Sequence, residues 1–133
     1  MIVLSGPTSG TVTRSGMDSF VSTNAVNPAG FYLVGGYVTY QATGAVNSFT
    51  RRTLCIQWQY VANLDSVYDQ AIQTSYESNT AGDAMTVQGI FYADGIHKNF
   101  PRLLFAHRNT SSTMQVNAGA KMWIQYIGSG VGI

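Results

Sequence analysis

Apolar and polar side chains alternate with a period of two along most of this chain, the pattern of strands rather than helices. The longest such run is residues 30–41. One face carries Phe31, Leu33, Gly35, Tyr37 and Thr39, and the other carries Tyr32, Val34, Gly36, Val38 and Tyr40. Neither face is polar, so both call for cover. In a small all-β domain the facing sheet covers one side and a neighbouring subunit the other. Gly35-Gly36 at the centre fits either a close approach of another backbone or a bulge. Two adjacent glycines in a β-branched and aromatic run argue against a helix.

The cleanest alternation follows at 51–61. Leu54, Ile56, Trp58 and Tyr60 form a core face, with Thr53, Cys55, Gln57 and Gln59 opposite. Further strands are predicted over 84–93 (Met85, Val87 and Phe91 against Thr86, Gln88, Ile90 and Tyr92), 102–107, 113–117 and 121–127. In the last, Met122, Ile124 and Tyr126 share one face, and Trp123, Gln125 and Ile127 the other. Residues 63–77 are ambiguous, because Tyr68, Ile72 and Tyr76 suit both a helix face and a strand face. An irregular segment with a strand over 71–76 is the expectation. Asp94-Gly95 signals a turn, with a loop expected to Pro101. The leading residues 1–26 hold short extended pieces broken by Gly6-Pro7 and Ser15-Gly16. They form either a first hairpin of the sandwich or an arm that docks elsewhere. Many short strands at regular spacing predict a β-sandwich or barrel.

Charged residues make up only 10% of the chain and the net charge is +1, so there is no basic field for nucleic acid or an anionic membrane. No run approaches the length of a membrane-spanning helix. A single cysteine, Cys55, excludes an intrachain disulfide and reads as a small buried apolar residue. Met1-Ile2-Val3-Leu4 is too short an apolar run for a secretory leader, which leads us to expect synthesis in a cytoplasm.

Catalytic patterns are absent from the sequence. His97 and His107 lie in no metal-binding spacing, and the acids are scattered, with Asp65 and Asp69 expected in a solvated loop. No nucleophile elbow or phosphate-cradling loop occurs. A Cys55–His107 pair is disfavoured because Cys55 lies mid-strand. Asn109-Thr110-Ser111 matches a glycosylation acceptor, which carries no meaning in a chain that is not secreted. The expectation is a protein that is not an enzyme and uses no cofactor.

The aromatic residues say more. Trp123 points away from the Met122–Ile124–Tyr126 face, and large aromatics on a second face favour a subunit interface. Two stretches, Gly30-Phe31-Tyr32-Leu33-Val34-Gly35-Gly36-Tyr37-Val38-Thr39-Tyr40 and Val116-Asn117-Ala118-Gly119-Ala120-Lys121-Met122-Trp123-Ile124-Gln125-Tyr126, resemble the conserved strand and hairpin of the complement-like and tumour-necrosis-factor-like jelly rolls. Ala120 stands where that family usually has Asp. The resemblance implies an all-β jelly-roll β-sandwich over 27–133 that assembles as a homotrimer, with an extended N-terminal arm over 1–26. Candidate trimer-interface residues are Tyr32, Tyr37, Tyr40, Trp123 and Gln125. Related domains occur in tailed-phage virions, so the resemblance further implies a cement (decoration) protein on the capsid surface, partnered by the major capsid protein. The candidate capsid-binding residues of the arm are Ile2, Leu4, Arg14, Phe20 and Val21. The alternative is a glycan-recognising head of a tail fibre, with its site on loops 42–50, 62–70 and 94–101 and with Tyr68 or His97 involved.

Overall fold

A computed structural model describes residues 2–5, 10–12, 18–22, 25–63 and 66–130, and the side chains within 26–58, 70–99 and 101–130. The described residues form strands and connecting turns, with no helix among them. In chain order the strands are β1 (Ile2–Ser5), β2 (Gly10–Val12), β3 (Asp18–Ser22), β4 (Ala25–Val26), β5 (Gly30–Ala42) and β6 (Thr50–Asn63). They continue as β7 (Ser66–Ser78), β8 (Gly82–Ala93), β9 (Lys98–His107), β10 (Met114–Val116) and β11 (Lys121–Gly128).

Two antiparallel sheets face each other. The first runs β1-β11-β5-β10-β2, with β8 on the other side of β5; the second runs β3-β9-β6-β7, with β4 also on β9. This is the β-sandwich expected from the alternation, in the jelly-roll form that the resemblance implied. Leu54, Ile56 and Trp58 are fully buried, and Val34, Val38, Met85, Val87, Phe91, Leu103, Phe105, Met114 and Met122 join them in one core. Aromatic rings tie the layers together. Trp58 stacks on Phe91 at 5.6 Å and lies 5.6 Å from Tyr32, while Phe105 stacks on Tyr40 at 4.9 Å.

Gly35 and Gly36 are neither a bulge nor a contact point for another backbone. They sit in unbroken register between β8 and β11, and each makes room for a side chain of the same molecule. A Cβ on Gly36 would lie 2.4 Å from Leu103 Cδ1 inside the core. Within the ambiguous 63–77 segment, residues 66–77 are strand, most of β7, which pairs along nearly the whole of β6, so the loop expected over 62–70 is strand from Ser66. The long pairing partner, absent from any local pattern, decides strand over helix there. Likewise β9 begins at Lys98, before the expected end of the loop at Pro101.

The leading segment also departs from the extended arm. Over its described residues it is paired onto the sandwich: β1 with β11, β2 with β10, and β3 and β4 with β9. These short strands satisfy backbone groups that would otherwise be open on β11, β10 and β9. Arg14 and the side chains of Ile2, Leu4, Phe20 and Val21 lie outside the described residues.

The free edge of β8 is capped at Tyr92. The Gln70 amide reaches across and acts as a strand segment: Nε2 donates to Tyr92 O at 2.8 Å, and Tyr92 N donates to Oε1 at 3.0 Å.

Candidate functional site

The two outer faces of the sandwich differ in character. On the β11-β5-β8 face, cross-strand rows bring together Phe31 with Tyr92, Leu33 with Ile90 and Gln125, and Gly35 with Gln88 and Trp123. Phe31 and Tyr92 touch ring to ring at 5.4 Å. Ile90 is 62% exposed, Tyr92 44% and Phe31 38%, so this face presents a contiguous apolar and aromatic surface to solvent. Tyr37 and Trp123 are half-buried on it, and Gln125 is exposed beside them.

Tyr32 and Tyr40 do not belong to that surface. They lie on the inward face of β5, 5% and 1% exposed, because they share parity with Val34 and Val38. The interface candidates therefore reduce to Tyr37, Trp123 and Gln125. Phe31, Ile90 and Tyr92 are the residues the sequence reading missed. Their parity had already set them on the second face, but the apposition of β8 and β5 that unites them is long-range. Tyr126, expected in the core, is 48% exposed at the sandwich's end, with its hydroxyl donating to Ala29 O.

Arg52 lies inside the sandwich. It is fully buried and points inward with Leu54 and Ile56. Its Nη1 donates to Ser78 O at 2.7 Å and its Nη2 donates to Thr80 O. The guanidinium lies 5.7 Å and 5.8 Å from the ring centres of Tyr40 and Tyr76, whose hydroxyls hydrogen-bond each other. Burial first, and then the bond to Tyr76, push the Tyr40 hydroxyl's pKa far above the ordinary tyrosine range. The signal was present in the sequence, since Arg52 shares the parity of Leu54, Ile56 and Trp58.

The outer face of β7-β6-β9 is mostly polar, with Arg51, Thr53, Gln57, Gln73, Ser75, Glu77 and Arg102 around the buried Cys55 and Leu104, and Arg108 follows the end of β9 beside Arg51. Arg102 donates to Gln57 Oε1. At one end of this face two loops are locked by a pair of asparagines. Asn47 N donates to Asn109 Oδ1 at 2.9 Å, and Asn47 Oδ1 accepts from Thr110 N and Thr110 Oγ1 at 2.6 and 2.7 Å. Asn109, fully buried, gives its amide to Ala45 O and Ser112 O. That amide is committed inside the fold, so the Asn109-Thr110-Ser111 match presents no free acceptor. Between the loops stands Phe49, 70% exposed and held at φ 53°.

The remaining chemistry-bearing groups stay apart. Cys55 and His107 project from opposite faces of their sheet, by parity against Leu54 and Arg52. Burial raises the Cys55 thiol's pKa, with Arg102 opposing. His97 pairs with Asp94 through Nδ1 at 2.5 Å in a loop that Asp94 also caps at Ile96 N and His97 N. The side chains of Tyr60, Tyr68, Asp65 and Asp69 lie outside the described residues. Among the described residues, no three metal-ligating side chains gather.

No protein-family model and no curated protein matches the chain by sequence. Among solved structures it is similar to the Eiger TNF from S. frugiperda. That match has 11% identity and a TM-score of 0.58, and covers 98% of this chain and 93% of that one. The TmCBM61 module in complex with beta-1,4-galactotriose matches at 9% identity and TM-score 0.41, over 90% of this chain and 69% of that one. A family 16 carbohydrate-binding module matches at 12% identity and TM-score 0.32, over 95% and 72%. The first likeness shows a tumour-necrosis-factor-like jelly-roll fold.

Proposed function

We propose that this chain is a non-catalytic structural protein that works as a homotrimer, and that its setting is a virion, where it cements a tailed-phage capsid by binding the major capsid protein. One observation carries the trimer: the β11-β5-β8 face exposes Phe31, Ile90 and Tyr92, while the opposite outer face is mostly polar. Burying Phe31, Leu33, Ile90, Tyr92 and Trp123 against two other copies removes that surface from water, at roughly 25 cal/mol per Å² of apolar area. A self-association patch of this kind, repeated around an axis, closes on itself. The virion setting draws on the two jelly-roll motifs and the low-charge composition. Binding only the assembled shell stabilises that shell by mass action. With the leading strands paired into the sandwich, the polar face and loop ends of each subunit are left to meet the shell.

Native mass spectrometry tests the first step. The expected result is a trimer for the natural chain and a folded monomer for Ile90→Glu. A folded monomer at every concentration for the natural chain would overturn the reading. Copy number in purified particles tests the second: a shell protein matches the lattice, a fibre head does not.

A second reading, glycan recognition, is favoured by a separate observation, the exposed Phe49 set among Arg51, Arg108 and locked polar loops.

A further inference from the structure

We infer that the Phe49–Arg51–Arg108 end of the polar face is a binding site for an acidic saccharide, one whose pyranose ring bears a carboxylate. The inference rests on the glycan reading above and gives its ligand a chemistry.

Phe49 is the starting point. A bulky residue at positive φ is a genuine backbone outlier, and such strain persists where the surroundings over-determine it. Here the surroundings are the Asn47–Asn109 lock, extended by Thr50 Oγ1 donating to Asn47 O at 2.9 Å. The fold therefore holds an unfavourable conformation and uses it to push an aromatic ring into water, where core packing gives it no return. An exposed ring on a rigid frame is a stacking platform for the apolar face of a sugar.

The second element is charge. Arg51, Arg108, Glu77, Asn47, Ser48 and Thr110 line one open depression with Phe49. Arg51 is engaged by Glu77 at 3.5 Å, whereas the Arg108 side chain has no ion-pair partner among the described residues. Two guanidinium groups against one carboxylate leave a single surplus positive charge, which matches one sugar carboxylate better than a multiply charged phosphate or sulfate. A guanidinium reads a carboxylate with two parallel hydrogen bonds. Thr53, Gln73 and Ser75 continue the groove along the sheet next to Arg51 and Arg108, with hydroxyl and amide groups suited to sugar hydroxyls.

The site lies within one chain, on the sheet opposite the apolar face, so trimer assembly leaves it open. Its rigidity also limits the ordering cost of binding.

The test is isothermal titration of the full chain with 3′-sialyllactose and a glucuronic-acid disaccharide, with lactose and sodium sulfate as controls. We expect saturable binding of at least one acidic saccharide, at least tenfold tighter than lactose or sulfate. Arg108→Gln should weaken it at least tenfold. Phe49→Gly should weaken it similarly while raising the melting temperature, since glycine relieves the strain. Those opposite shifts separate a binding role from a structural one. Sulfate binding as tight as the saccharide and unchanged in Phe49→Gly would overturn the inference in favour of a simple anion site. Equal binding of lactose would overturn the acidic ligand but leave glycan recognition standing. No saturable binding of any saccharide would overturn both.

Discussion

Trp123 lies directly on Gly35, its register partner across β11 and β5; a Cβ there would come within 2.2 Å of the indole ring. The missing side chain is what lets the indole lie flat and contribute to the outer apolar face. Gly35→Ala should lift Trp123 off the sheet and destabilise the fold by about 1–3 kcal/mol, the usual cost of overpacking. Its tryptophan emission should shift to longer wavelength, read against the fully buried Trp58. An unchanged spectrum and unfolding midpoint would mean the ring has room to move without loss.

Arg52 should be among the least replaceable residues in the chain. Arg52→Ala removes the donors to Ser78 O and Thr80 O and leaves a cavity beside Tyr40 and Tyr76. Each effect costs on the order of 1–3 kcal/mol. Arg52→Lys should recover only part of this loss, because one ammonium does not reproduce the fork that reaches both carbonyls. Urea unfolding of the three proteins checks the order natural, lysine, alanine.

Stability should fall at alkaline pH. Burial raises the hydroxyl pKa of both Tyr40 and Tyr32 above the unfolded tyrosine value of 10.0. A group whose pKa is raised on folding binds its proton more tightly in the native state. Its contribution is complete below about pH 10 and is lost as pH rises beyond that value. The unfolding midpoint should therefore begin to drop near pH 10 and keep falling as pH rises further, and the drop should be smaller in Tyr40→Phe. A midpoint that declines equally in both proteins would remove Tyr40 from the account.

Deleting residues 1–25 should harm the sandwich itself. The deletion removes β1, β2 and β3 and opens the edges of β11, β10 and β9. The truncated protein should melt lower and aggregate, seen by size-exclusion chromatography and thermal unfolding, because unpaired edges template association. A truncated protein that melts like the full chain and keeps its oligomeric state would show that the segment is a detachable arm after all.

Much of the fold was legible because alternation fixes which side chains share a face. Leu54, Ile56 and Trp58 entered the core as their period required, and Trp123 turned away from it. What alternation does not give is which face of β5 meets the other sheet. Both faces of 31–40 are apolar, so Tyr32 and Tyr40 read as interface residues until the partner strands were known. The burial of Arg52 was not fully legible, for a different reason: its parity matches Leu54 and Ile56, but the carbonyls of Ser78 and Thr80 that satisfy it come from a distant turn. Phe49 gave no warning at all, since nothing in its neighbours' types announces a positive φ imposed by Asn47 and Asn109 from two separate loops.

The Gln70 amide on the edge of β8 bears on how far association runs. A sheet lengthens indefinitely when each copy offers the next a row of open backbone groups. Here part of that row is occupied by a side chain of the same molecule, at the very end of the strand that borders the apolar face. Copies are thus steered from meeting side by side, as in a ribbon, toward meeting face to face. In the proposed trimer, face-to-face contacts whose rotation closes come back to their starting point, so assembly stops at a fixed, small number of members and does not grow as a filament would.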